Sequence, residues 1–282
     1  MNNAKRLSRR RMLQGSSAAL AALGLLATTG FGKPDSVHAN HKENVMSDNH
    51  DTKDKPRIVL VHGAFADGTG WQHVIPPLEQ HGYFVIAVQN TLTSLANDIA
   101  TTKRVIDAEA QKGPVIAVGH SYGGAVISGA AAGNPNVKAL VYIAAFAPEA
   151  GEPVAAFLEQ YPSLLGSGTV ADAAGFLFVD RDKFRKIFAA DVERTEARVM
   201  AATQKPIFGG IFGQATEAAA WKSIPSWYLL TTRDHAINPE LERLYAKRIG
   251  ATTVEIASSH AVFVAHPQAV VKLIEQAAKA VS

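Results

Sequence analysis

The chain has 282 residues, 47% of them hydrophobic and 19% charged, and no cysteine. Such a chain can bury the core of one large domain, which excludes disordered and fibrous classes, and the missing thiol excludes disulfides, cysteine nucleophiles and thiolate metal sites. A formal charge of +3 and a pI near 9.0 would suit a nucleic-acid or anionic-membrane partner, so the position of the charges decides what they mean.

The charges sit at the front. Lys5, Arg6, Arg9, Arg10 and Arg11 precede an uncharged stretch, Met12 to Gly32, rich in Ala, Leu and Gly. Val37-His38-Ala39 follows as a small-x-small cleavage pattern. This is the layout of a signal peptide over residues 1–39, and Ser8-Arg9-Arg10-Arg11-Met12-Leu13 resembles the twin-arginine export signal. Gln14, Gly15, Ser16 and Ser17 interrupt the apolar run, which is weaker than a stable spanning helix needs. The expectation is a periplasmic or secreted protein with no membrane span once the signal is removed. Without residues 1–39, 22 basic and 24 acidic side chains remain, a charge of −2 over 243 residues. The basic pI therefore belongs to the leader, and the case for a nucleic-acid partner disappears. Asn40 to Lys55 is polar and reads as a flexible linker to a domain that starts near Pro56.

From Arg57 short apolar runs alternate with helical patterns. Ile58 to Val61 is a buried-strand signal, Trp71 to His81 a helix closed by Gly82, and Phe84 to Val88 a second strand. Thr93 or Ser94 caps a helix reaching about Gln111, with Leu95, Ile99, Thr102, Val105 and Ile106 on one face. Val115 to Val118 is a third strand, followed by Gly119-His120-Ser121-Tyr122-Gly123-Gly124 and a small-residue helix to Gly133. Val137 to Ile143 is a fourth strand. Ser226 to Thr231, a helix from Pro239 to Ile249, the strand Thr252 to Ile256 and a helix from Pro267 to Ala280 complete the chain. Continuous apolar strands between helices predict an α/β fold with a mostly parallel central sheet covered on both faces. Between Ala147 and Ser223 the rhythm is lost. Helix-like pieces at Asp182 to Ala190 and Val192 to Ala202, with Phe176, Phe178, Phe184, Phe188, Phe208 and Phe212, predict a helical cap over the carboxyl ends of the strands, where open parallel sheets bind ligands.

Three positions carry candidate chemistry. Ser121, in Gly-x-Ser-x-Gly between a strand and a helix, has the setting of a nucleophile held on a sharp turn, with glycines where a Cβ would clash. His260 lies just after the last strand and is the one of ten histidines that suits the chain order serine, acid, histidine. His235 is a rival, whereas His62 and His120 beside motif glycines read as structural. Asp234, directly after a strand, can fix the imidazole tautomer and stabilise the imidazolium, with Glu149 and Glu152 as rival acids. An oxyanion needs two backbone N–H groups. Tyr122, after the serine, offers one, and Ala64 in the Gly63-Ala64-Phe65-Ala66-Asp67-Gly68 loop the other, with Phe65 second.

Leu60-Val61-His62-Gly63-Ala64, the Gly119 to Gly124 motif, Thr232-Arg233-Asp234 and Ser259-His260 together resemble the α/β-hydrolases. More narrowly, the stretch from Arg57 to Ser282 resembles the group of plant methyl-ester esterases, hydroxynitrile lyases and bacterial pyrethroid-hydrolase-like esterases. In that group the lyases carry a threonine after the first-loop histidine and a lysine after the catalytic histidine. Gly63 and Ala261 stand there instead and cannot do that work. The oxyanion loop also lacks the proline associated with perhydrolase behaviour. The resemblance implies a cofactor-free serine carboxylesterase acting through an acyl-enzyme but does not specify a substrate; the phenylalanines of the insertion suggest a small, largely apolar ester, with core packing as their other reading. The resemblance leaves open a lactonase, amidase or C–C hydrolase with the same residues, or a non-catalytic ligand-binding protein on the same scaffold.

Overall fold

The computed structural model describes residues 55–281. The expected export signal, its expected cleavage position near Ala39 and all of the expected linker except Lys55 lie outside the described residues.

Six parallel strands form the central sheet: β1 (Arg57–Val61), β2 (Val85–Val88), β3 (Val115–His120), β4 (Val137–Ile143), β8 (Ser226–Thr231) and β9 (Thr252–Ile256), in the spatial order β2-β1-β3-β4-β8-β9. Every residue of β3 and β8 is buried, as is all of β1 and β4 except Arg57 and Lys138. This matches the near-continuous apolar runs of those segments, because a parallel strand with helices on both faces has no polar side to show. The edges differ. Four of the five β9 residues are exposed and most of β2 is half-buried.

The helices that cover the sheet follow the expected order, with local differences. Ser94 is the cap of α2 (Leu95–Ala110), and its hydroxyl accepts from the Asn97 N–H at 3.2 Å. The single helix expected from Trp71 to His81 is two pieces, a 3-10 turn (Gly68–His73) and α1 (Ile75–Gln80). Pro76 and Pro77 lack the N–H a continuous helix would need and fit only in a first turn, so they restart the helix. α3 (Tyr122–Ala130) packs against α2 and β3. α7 (Pro239–Arg248) starts at Asn238, whose side chain accepts from the Glu240 N–H at 2.9 Å. A short helix, α8 (Val262–Ala265), precedes α9 (Pro267–Val281).

The cap lies between β4 and β8. It contains α5 (Arg181–Phe188) and α6 (Arg194–Thr203), close to the helical pieces expected, and a short α4 (Leu164–Gly168) that was not. It is not purely helical. β5 (Thr169–Ala171), β6 (Phe176–Val179) and β7 (Ile207–Phe208) pair as a three-stranded antiparallel sheet. Strands of two to four residues are too short for a two-residue alternation to show, which is why the sequence pattern missed them.

Candidate active site

Ser121 is the first residue past β3 and has φ 54° and ψ −125°. A non-glycine residue there is strained by about 1–3 kcal/mol, so the surroundings must impose it. They do so through close packing. A Cβ on Gly119 would lie 2.5 Å from the Gly123 carbonyl oxygen, and one on Gly123 would lie 2.4 Å from the Val61 carbonyl oxygen. The Ser121 N–H donates to the Ile143 carbonyl at 3.1 Å, and its own carbonyl accepts from Gly124 at 3.0 Å and Phe146 at 3.1 Å. Three further non-glycine residues have positive φ: Phe65 (61°), Leu92 (59°) and Ala144 (43°). Each stands just beyond β1, β2 or β4, so backbone strain collects along the carboxyl edge of the sheet.

His260 and Asp234 meet at that edge. The His260 Nδ1–H donates to Asp234 Oδ2 at 2.6 Å, with both side chains almost fully buried. Asp234 is held as an acceptor from several sides: Oδ1 takes the Ala236 and Ile237 N–H groups at 2.7 and 2.9 Å, and Oδ2 takes the Thr231 hydroxyl at 3.0 Å. Such a set favours a carboxylate, and it fixes the imidazole with Nε2 left to exchange a proton. His120 joins this group to Ser121 along the chain. Its ring lies 4.5 Å from that of His260, and its Nε2–H donates to the His260 carbonyl at 3.0 Å. Burial, with His260 next to it, holds His120 well below the usual histidine range, so it is neutral.

Ala64 and Tyr122 are the positions expected to supply the oxyanion N–H groups. The N–H groups of Ala64 and Tyr122 donate to no other group among the described residues. The loop of Ala64 is fixed by His62, whose Nδ1–H donates to the Gly63 carbonyl at 2.9 Å while Nε2 accepts the Asn90 N–H at 3.1 Å. Burial lowers the pKa of His62, consistent with that neutral tautomer. Tyr122 is anchored at its far end, its hydroxyl donating to buried Asp98 at 2.9 Å, and burial together with that carboxylate pushes the phenol up. Asp98 also accepts the N–H groups of Thr91 and Leu92, which sets the strained Leu92 turn.

Two cavities flank Phe65. One, of about 230 Å³, is lined chiefly by Phe65, Phe146, Leu158, Leu165, Leu177 and Phe212 and by no charged side chain. The other, of about 290 Å³, is lined by Phe65, Met200, Phe263 and Val264 with Asp67 and Glu196 at its polar side. Phe65 follows Ala64, and the Phe146 N–H is bonded to the Ser121 carbonyl, so two of the three aromatic walls of the apolar cavity are tied to the site. The cap is fastened around the acid and the histidine. Leu164 N–H donates to the His235 carbonyl at 3.0 Å and Ser163 Oγ to the Ala236 carbonyl at 2.9 Å, both directly after Asp234. Ala261 N–H donates to the Phe188 carbonyl at 2.8 Å, and the Ser259 N–H donates to Asp191 at 3.0 Å. The Phe188 ring stands edge-on to His260 at 4.8 Å.

The rival residues go elsewhere. His235 is exposed and bonds the Lys186 carbonyl. Glu149 pairs with Lys222 and Glu152 with Arg248. Among the cap phenylalanines, Phe184 and Phe188 are core and Phe212 lines the apolar cavity. Thr231, Glu242, Asp98 and Asp191 were not singled out in the sequence. A carboxylate at an inward position of a helix is the only signal that could have found Glu242 and Asp98.

A parallel six-stranded sheet with a strained serine after its third strand, and a buried aspartate–histidine pair at the same edge, defines a hydrolase scaffold of the α/β class. The chain belongs to the alpha/beta hydrolase family, whose model matches residues 58–273. It is 28% identical over 261 residues to a pyrethroid hydrolase of Sphingobium wenxiniae, covering 79% of this chain and 88% of that protein. It is 24% identical over 207 residues to methylesterase 8 of Arabidopsis thaliana, covering 67% and 76%. The crystal structure of a pyrethroid hydrolase from Sphingobium faniae superposes with a TM-score of 0.67 at 23% identity, covering 80% of this chain and 98% of that one, a likeness of fold.

Proposed function

We propose that the protein is a serine carboxylesterase that cleaves small apolar esters through an acyl-enzyme. The observation that carries this reading is Ser121 held at positive φ and following His120, whose ring packs 4.5 Å from that of His260 in the buried Asp234–His260 pair. Ser121 Oγ attacks the ester carbonyl while His260 Nε2 takes its proton. The developing oxyanion is met by the N–H groups of Ala64 and Tyr122. His260 returns the proton to the departing alcohol. Water then gives a proton to His260 as its oxygen adds to the acyl carbonyl, the bond from that carbon to Ser121 Oγ breaks, and His260 returns the proton to Oγ as the acid leaves. Asp234 keeps Nδ1 protonated and stabilises the imidazolium in both halves. The uncharged 230 Å³ cavity walled by Phe65 and Phe146 suits a short alkyl or aryl group on one side of the ester. The relatives named methylesterase and pyrethroid hydrolase agree with ester cleavage.

The test is hydrolysis of p-nitrophenyl acetate and butyrate by the purified protein, with labelling by a serine-reactive fluorophosphonate. Turnover and labelling that both vanish in Ser121→Ala are expected. Labelling that survives Ser121→Ala overturns the assignment, and ligand binding without any turnover points to the non-catalytic alternative. We also propose export by residues 1–39. Among the described residues no helix is long and apolar enough to cross a membrane. Arg9→Lys with Arg10→Lys should retain a fused reporter in the cytoplasm, and amino-terminal sequencing of the exported protein locates the cleavage.

A further inference from the structure

Behind Asp234 lies a second carboxyl that the mechanism above does not use. Glu242, on α7, is completely buried. Its Oε2 accepts the Thr231 N–H at 3.0 Å, and its Oε1 lies 3.0 Å from the Thr231 hydroxyl oxygen. That same hydroxyl oxygen lies 3.0 Å from Asp234 Oδ2. One hydroxyl has one hydrogen. With both carboxyls ionised, one of these two contacts would set lone pair against lone pair, so the pair must hold a proton. Asp234 already accepts three other hydrogen bonds, from two backbone N–H groups and His260 Nδ1, and these favour its ionised form. The spare proton therefore falls to Glu242, where it completes the chain: Glu242 Oε1–H to Thr231 Oγ1, then Thr231 Oγ1–H to Asp234 Oδ2.

We propose that Glu242 is a neutral carboxylic acid and acts as a positioning residue for the Ser121–His260–Asp234 set, aiming the Thr231 hydroxyl at Asp234. Burial, and then the charge of Asp234, both push the Glu242 carboxyl well above its ordinary range. Tyr228 also faces it, buried and raised by desolvation, and its hydroxyl donates to the Ala145 carbonyl. Arg243, the next residue on α7, pairs outward with Glu240 and Glu255 and supplies no counter-charge. The relay gives Asp234 a fixed donor without placing a second negative charge next to the imidazole.

The inference rests on the reading of Asp234 and His260 as the working pair, and its test separates the two. Infrared difference spectra of the full chain at about pH 8 should show the C=O stretch of a protonated carboxylic acid that is absent from Glu242→Gln. This needs no turnover, so it stands even if the esterase reading fails, and its absence in the wild type overturns the proposal. In kinetics, Glu242→Gln can donate to Thr231 Oγ1 and accept the Thr231 N–H as the neutral acid does. Its kcat/KM should stay within about threefold, with the pH profile unmoved. A profile shifted by about one unit would mean that a charge had been removed, and would overturn the proposal. Thr231→Val loses the hydrogen given to Asp234. Its kcat should fall about tenfold and the acidic limb of kcat/KM should move to higher pH, because a less satisfied carboxylate holds the imidazolium more strongly. Thr231→Ser should restore both. A folded Thr231→Val with wild-type kcat and pH profile overturns the relay.

Discussion

The carboxyl edge of the sheet and the cap above it are built on different principles. At the edge, position is set by backbone. Four non-glycine residues held at positive φ, glycines with carbonyls inside 2.6 Å of any added Cβ, and buried hydrogen bonds leave each group one place to be. In the cap, position is set by apolar side chains on short helices and strands, many of them half-buried, tied to the edge by a few bonds at Ser163, Leu164, Phe188 and Asp191. The edge therefore fixes its groups through the backbone, while the cap shapes its cavities through side chains. Substitutions at the edge should act on turnover, and substitutions in the cap on which ester is taken.

The largest expected effect falls on Asp234. Asp234→Asn removes the charge that stabilises the imidazolium and can invert the tautomer, and should lower kcat by about 10⁴-fold with little change in KM. The same assay on Glu149→Gln, whose carboxylate pairs with Lys222 on the surface, should read within about twofold of wild type. A dead Glu149→Gln beside an active Asp234→Asn would reverse the assignment of the acid.

Gly123→Ala is next and tests whether the edge really is set by backbone. Its Cβ would meet the Val61 and His62 carbonyl oxygens at 2.4 and 2.9 Å, neither of which can turn away without breaking β1. A loss of at least about 3 kcal/mol in urea unfolding is expected, comparable to a severe core overpacking. A variant with unchanged stability and full fluorophosphonate labelling would show the elbow to be looser than its distances imply.

The cap is tested by Phe212→Ala. Phe212 is one wall of the apolar cavity, and enlarging that cavity should raise KM for the butyrate ester about tenfold more than for the acetate, with kcat held within a few-fold. Equal effects on both esters would place the acyl group elsewhere, in the cavity beside Met200 and Phe263.

The same division explains what could be read from the sequence. The edge was legible because its constraints are local and repeat along the chain: an apolar run, then a glycine or a candidate residue, then a helix start. Ser121, Asp234 and His260 each announce themselves in that way, and β1, β3, β4 and β8 are recognisable as buried parallel strands from composition alone. The cap was half legible. α5 and α6 have helical periodicity, but β5, β6 and β7 are short, and their pairing joins Thr169 to Val179 and Phe176 to Phe208, which no local pattern reports. The supporting carboxyls were illegible for another reason. Asp98 and Glu242 sit on helices where a solvated acid is the ordinary expectation, and only the fold shows that their side chains point inward, Glu242 beside Leu241 and Tyr245 on the buried face of α7.

Glu242 also separates the two regions by pH. A carboxyl that stays neutral in the folded state while ionising in the unfolded one gives its full stabilisation below the unfolded value, near 4.5, and loses it as pH rises toward the raised folded value. Across that window the wild type should lose up to about 1.4 kcal/mol per pH unit relative to Glu242→Gln, which has no proton to hold. Urea unfolding at about pH 5, 6, 7 and 8 should therefore show the variant gaining on the wild type with each step, starting near parity. Phe212 in the cap should give a difference that is flat in pH when replaced by alanine, since its side chain does not titrate and it lines a cavity with no charged side chain. A flat difference for Glu242→Gln as well would mean that Glu242 is ionised in the folded protein. Asp234 would then share its edge with a second charge, and the edge would be held against electrostatic strain as well as backbone strain.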